Sequence, residues 1–130
     1  MVYCIKCGAK TESTVPPLDN RLRDVCLECG YIHYVNPNNI VGIIGSFEGK
    51  VLLCKRNTEP RKNYWTVPAG FMENGETLLE GAQREANEEV GIEPSPSNLF
   101  MVYSVPHISQ VHFYFYSKLK DQSTRIGDEI

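Results

Sequence analysis

The chain has 130 residues, room for one ordinary domain or a small domain carrying a smaller stabilised module, but not for two large ones. Hydrophobic residues make up 42% of it and charged residues 22%, which excludes globally disordered, collagen-like and low-complexity classes. Thirteen Lys+Arg against sixteen Asp+Glu leave a net charge of -3, so there is no general basic field for gripping nucleic-acid backbones, and an anionic substrate must be handled locally. No apolar run reaches the roughly 18 residues of a membrane span, and Met1 to Lys6 has no signal-like stretch, so the expectation is a cytoplasmic protein with no membrane partner.

Four of the five cysteines fall as Cys4-x2-Cys7 and Cys26-x2-Cys29, a spacing that in a chain without a secretory signal favours metal thiolates over disulfides. Each pair is followed by glycine, Gly8 and Gly30, whose freedom to take positive φ lets a tight turn wrap two sulfurs and nearby N–H groups around one ion. The two knuckles together offer a tetrahedral set for structural Zn2+. Four thiolates leave no open position for catalytic zinc. Residues 1–35, poor in core-building patterns, read as this metal-held module, and Asn36 to Asn39 as a turn before residues 38–130.

Ile40 to Phe47 is β-branched and apolar, Glu48-Gly49 supplies a turn, and Lys50 to Arg56 returns, so a hairpin is expected. Cys54 lies inside the second strand and reads as a small buried hydrophobe. Tyr64 to Val67 is a strand leading into a glycine-containing loop, Pro68 to Glu76. From Glu76 to Val90, Leu78, Leu79, Ala82, Ala86 and Val90 form one helical stripe, with Gly91 placed to end it and Pro94 and Pro96 beyond. Leu99 to Val105 and Val111 to Tyr116 are further strands, the last aromatic on both faces.

Glu85, Glu88 and Glu89 span an arc of roughly 100° beside that stripe. An acidic helix face is ordinarily just solvated; here three like charges converge at the rim of the core, and a hard divalent cation such as Mg2+ would neutralise them.

Read from Gly70, the string runs through five residues to Glu76, seven more, then Arg84-Glu85-Ala86-x-Glu88-Glu89-x-Gly91-Ile92. It resembles the Nudix box at every charged and glycine position. Ala86 alone departs, standing where that family has Ile, Leu or Val. The four-Cys module, Arg56 through Glu73, and Pro106-His107-Ile108-Ser109-Gln110 extend the likeness to the zinc-ribbon Nudix hydrolases over nearly the whole chain.

The resemblance implies an α+β fold, an α/β/α sandwich with a mixed sheet, preceded by a small zinc ribbon at 1–35, with the box at 70–92. It implies hydrolysis of a diphosphate joined to another group. Glu85 would activate water and Arg84 would orient Glu85 or Glu76. Mg2+ or Mn2+ would be held by Gly70, Glu85, Glu88 and Glu89, and zinc by Cys4, Cys7, Cys26 and Cys29. Arg61, Trp65, His107, Ser109 and Gln110 are candidates for touching a dinucleotide. ADP-ribose ranks first, split to AMP and ribose 5-phosphate; FAD and NADH follow, NADH last because the Ser-Gln-Pro-Trp-Pro-Phe-Pro segment of NADH-cleaving relatives is absent. A reading from another class makes the ribbon a module for binding nucleic acid or protein. The charges of residues 1–35 speak against nucleic acid, since Lys6, Lys10, Arg21 and Arg23 are balanced by Glu12, Asp19, Asp24 and Glu28.

In that family a further strand and helix follow the second aromatic strand, whereas this sequence stops at Gly127-Asp128-Glu129-Ile130. The expectation is a C-terminally incomplete fold: a fragment, or a homodimer whose partner covers Phe113, Tyr114, Phe115 and Tyr116.

Overall fold

A computed structural model describes residues 2–93 and 98–120, in two compact units that divide between Asn36 and Pro37. The first unit is a three-stranded antiparallel sheet, β1 (Thr11–Thr14), β2 (Arg23–Cys26) and β3 (Ile32–His33), in that order. Its strands are too short to bury a core of their own, and the two Cys pairs stand at its turns. Leu18, Leu22 and Leu27 are exposed.

The second unit contains β4 (Asn38–Phe47), β5 (Lys50–Val51), β6 (Cys54–Lys55), β7 (Trp65–Thr66), β8 (Ala69–Phe71), α1 (Leu78–Val90), β9 (Asn98–Val105), a 3-10 turn at Pro106–Ile108 and β10 (Gln110–Lys118). The long β4 is the spine of a mixed sheet. On one side it pairs in parallel with β10, which pairs antiparallel with β9; on the other, β5 takes one end of β4 and β8 the other.

The expected hairpin after β4 is therefore cut short. Glu48 and Gly49 turn the chain at positive φ and β5 pairs only with Ser46 and Phe47. The strand cannot run on along β4, because Ile40, Val41 and Gly42 are already paired with Phe71, Gly70 and Ala69. It diverts, and Cys54 and Lys55 pair with Thr66 and Trp65 in a separate ribbon. The expected loop at Pro68 to Glu76 is likewise a strand over its first part, β8.

The helix begins at Leu78, two residues later than the apolar pattern suggested, because Thr77 caps it. The Thr77 Oγ1 accepts from the Glu80 N–H at 3.1 Å, and the Thr77 N–H donates to Glu80 Oε1 at 2.8 Å, a reciprocal capping box. At the other end Gly91 takes the left-handed conformation, φ 70°, and its N–H closes on Asn87 O at 2.9 Å.

Ala82, Ala86 and Val90 on α1 meet Val41, Ile43 and Phe115 of the sheet in one buried cluster, joined by Cys54 and Ile92 and flanked by Leu52, Leu78 and Phe113. Ala86 is fully buried, so the small residue at the departing box position is filled around by its neighbours. Burial pushes the Cys54 thiol up to about 12, in keeping with a packing role. On the opposite face the His112 ring stacks on Tyr103, centroids 4.9 Å apart, and Tyr103 on Tyr114 at 6.1 Å. Strand β9 is exposed along nearly its whole length, and among the described residues α1 is the one α-helix packed on the sheet. Pro94, Pro96 and the strand expected near Gly127–Ile130, with Glu129, lie outside the described residues.

Candidate active site

A cleft of about 820 Å³ opens where β8 meets the second half of α1. One wall is backbone, Ala69, Gly70 and Phe71; the helix supplies Arg84, Glu85, Glu88 and Glu89; the loop between β6 and β7 supplies Arg56, Thr58, Glu59 and Pro60. With Glu73, five carboxylates face two guanidinium groups, a formal excess of three negative charges.

Gly70 sits directly under the Glu85 carboxylate, so closely that a Cβ at position 70 would overlap its atoms. The strand thus passes Glu85 at a distance that only glycine allows. Glu89 is held from the same strand, the Ala69 N–H donating to its Oε2 at 3.0 Å. Arg84 ties the cluster together. Its Nε and Nη2 form a two-point contact with Glu76 at 3.1 and 2.9 Å, its Nη1 donates to Glu85 at 2.9 Å and Glu88 at 3.2 Å, and its Nη2 also reaches Phe71 O at 3.0 Å. The Glu73 N–H donates to Glu76 Oε1 at 2.7 Å. The Arg84 guanidinium, more than any other partner, holds the Glu76 carboxyl below the usual carboxylate range.

These donors suit a hard divalent cation: carboxylate oxygens with surplus negative charge, two of them positioned by backbone at a strand edge. The glutamate oxygens are bonded to Arg84 and Ala69 rather than drawn into one cage. Among the described residues, the donors that lie together at ion-binding distances are the cysteines. The sulfurs of Cys4, Cys7, Cys26 and Cys29 fall within 4.8 Å of one another, with Cys4–Cys29 at 3.8 Å and Cys7–Cys26 at 3.4 Å. A tetrahedral Zn2+ with ~2.3 Å bonds needs sulfurs about 3.8 Å apart, so the set fits the ion. Gly8 and Gly30 stand at φ 82° and 77°. The Lys6 N–H donates to Cys4 Sγ and the Cys29 N–H to Cys26 Sγ, the latter bond holding the Cys26 thiol below its ordinary range.

The cleft gathers Gly70, Arg84, Glu85, Glu88 and Glu89, but its lining does not include the other nominated residues. Arg61, at φ 61°, lies over the Tyr64 ring at 5.9 Å; Trp65 is exposed, with the Lys55 ammonium over its ring. His107 and Ser109 belong to the 3-10 turn, where the Ser109 N–H closes on Pro106 O and its carbonyl accepts from Asn38 N–H. The Gln110 Oε1 accepts from His112 Nε2 at 2.9 Å, and His112 Nδ1 meets Tyr114 OH at 2.9 Å. Desolvation keeps His112 below the usual imidazole range. Sequence reasoning passed over the Arg56–Pro60 wall; the one signal for it is a basic residue ending an apolar strand beside a Thr-Glu-Pro turn.

Comparison with known proteins accords with this geometry. The NUDIX domain family matches residues 36–129 and the Nudix N-terminal family residues 2–35. The crystal structure of a NUDIX hydrolase from Nitrosomonas europaea superimposes with a TM-score of 0.93 at 47% identity, over 99% of this chain and 73% of that one. A NAD-capped RNA hydrolase NudC from Haemophilus influenzae is 38% identical over 92 residues, 69% of this chain and 33% of its own length. An ADP-ribose pyrophosphatase from Methanocaldococcus jannaschii is 41% identical over 76 residues, 58% of this chain and 45% of its own. The chain thus spans about a third to a half of the length of these curated relatives. With both family matches falling on the two compact units, the chain belongs to the Nudix hydrolase family, carrying a Nudix N-terminal zinc-ribbon module ahead of its NUDIX domain.

Proposed function

We propose that this chain hydrolyses a diphosphate that links a nucleoside to another group, with ADP-ribose, split to AMP and ribose 5-phosphate, as the first substrate. The observation that carries the reading is Glu85, seated on Gly70 and gripped by Arg84 at the edge of an acidic cleft. Glu85, Glu88, Glu89 and the Gly70 carbonyl would hold Mg2+ or Mn2+, which when bound neutralises diphosphate charge and makes water more acidic. Glu85 takes the proton of the attacking water at a carboxylate oxygen. Arg84 keeps that carboxylate in place through its two-point anchor on Glu76 and is a positioning residue. Cys4, Cys7, Cys26 and Cys29 would hold a structural Zn2+, four thiolates leaving no open coordination position for catalysis.

A second substrate reading, an NAD-type dinucleotide, is favoured by the identity to the NudC sequence. One assay separates the two: AMP released from ADP-ribose, FAD and NADH at saturating Mg2+. The highest kcat/KM is expected on ADP-ribose. A higher value on NADH replaces the first substrate with the second, and no AMP from any of the three overturns the reading.

A further inference from the structure

The loop wall of the cleft carries two opposite charges that do not meet. Arg56 and Glu59 both line it, yet the Arg56 Nε donates to Pro60 O at 2.9 Å, and the Glu59 carboxylate pairs with none of the described residues. The helix wall is different. There Arg84 holds Glu85 and Glu88, and the Ala69 N–H holds Glu89. Glu59 therefore stands across from α1 as an exposed carboxylate whose acceptor positions are all open.

The backbone sets its place. The Arg56 N–H donates to Tyr64 O at 2.9 Å and its carbonyl accepts from Asn63 N–H at 2.8 Å, closing the neck of the loop just beyond β6. Within the loop the Arg56 Nε reaches the carbonyl of the residue next to Glu59, and the Tyr64 N–H closes on Arg61 O at 3.1 Å. Arg61 and Asn63 hold φ of 61° and 73°, a region that residues other than glycine rarely adopt. A loop tied at these points carries Glu59 on a defined part of the wall, so less ordering entropy is lost when a ligand reaches it.

A ligand complementary to this wall has an anionic part for the guanidinium and, beyond it, an uncharged part rich in hydroxyl donors. An ionised carboxylate only accepts: it takes O–H donors from neighbouring hydroxyls, as acidic side chains do from a ribose, and it repels an oxyanion. We infer that Glu59 is a specificity-determining residue of this cleft, its carboxylate accepting from the vicinal hydroxyls of a sugar attached to the diphosphate and rejecting a further phosphate at the same place. The inference rests on the proposed diphosphate chemistry and deepens it, because it separates sugar-bearing diphosphates from nucleoside triphosphates as substrates.

Equilibrium binding tests this without turnover. The probes are α,β-methylene ADP-ribose and α,β-methylene ATP with Mg2+, a pair that differs in the group beyond the diphosphate, titrated calorimetrically into the parent, Glu59→Gln and Glu59→Lys. Gln keeps one acceptor of nearly the same shape while losing the charge; Lys reverses the charge. The parent is expected to prefer the ribosyl probe, and that preference should fall by about tenfold or more in Glu59→Gln and further in Glu59→Lys. The fall should have two parts, a weaker Kd for the ribosyl probe and a tighter one for the triphosphate, with melting temperatures close to the parent's. A ratio of the two Kd values within twofold of the parent's in both variants overturns the inference, as does failure of the parent to bind either probe. Tighter binding of both probes also overturns it, since that marks a diffuse charge effect with no sugar contact, and equal losses with a lowered melting temperature do so by marking a loop-holding role. Hydrolysis of ADP-ribose by the parent, measured separately, reports on the diphosphate reading itself.

Discussion

Gly70 and Glu85 occupy one space: the carboxylate of the second lies where the side chain of any other residue at the first would be. Gly70→Ala is therefore expected to dislodge Glu85 and to act on the chemistry as strongly as changing Glu85 itself. Glu85→Gln, nearly isosteric, should lower kcat by ~10²-fold or more with the fold intact. Steady-state kinetics with circular dichroism checks both; turnover of Glu85→Gln within threefold of the parent at saturating Mg2+ contradicts the role given to Glu85.

Glu76 lies outside the reaction but anchors Arg84 at two points. Arg84 holds its carboxyl below the ordinary value of 4.5 in the folded chain, so the contact contributes stability that is complete above about pH 4.5 and is lost as pH falls through the lower folded value. Compared by thermal melts from pH 7 to pH 3, Glu76→Gln should be less stable than the parent at neutral pH and converge with it in acid. A gap independent of pH argues against the ion pair as its source. Because Arg84 would lose its anchor, kcat should fall ~10-fold or more as well.

Thr77→Ala removes the acceptor for the Glu80 N–H and should cost about 1 kcal/mol of stability. Denaturant titration reads it as a lower midpoint with unchanged slope. The active-site end of α1 lies two turns away, so KM should hold.

The box was legible because its meaning is local: one helix and the strand before it put Gly70, Arg84, Glu85, Glu88 and Glu89 around one cleft. The cysteine knuckles were legible for the same reason. What escaped was set by distant partners. Nothing within Lys50 to Arg56 shows that β8 occupies the rest of the β4 edge, yet that occupancy ends β5 at Val51 and sends Cys54 and Lys55 to β7. The same diversion carries Arg56 to the cleft and leaves Arg61 and Trp65 off its lining.

The sulfur cluster predicts one zinc per chain. Chelation should lower the melting temperature of the cysteine module, residues 1–35, before it lowers the hydrolytic rate, because a module this small draws its folding free energy from the ion. Elemental analysis of protein purified without chelators, showing no zinc, contradicts the assignment.

The most direct measurement of the central claim is hydrolysis of ADP-ribose in 18O-labelled water with Mg2+, the products weighed by mass spectrometry. Attack of water on phosphorus predicts AMP and ribose 5-phosphate with one 18O on the phosphate of one of them, and loss of both products in Glu85→Gln. Intact ADP-ribose after prolonged incubation with the parent protein, or products carrying no label on either phosphate, would contradict it.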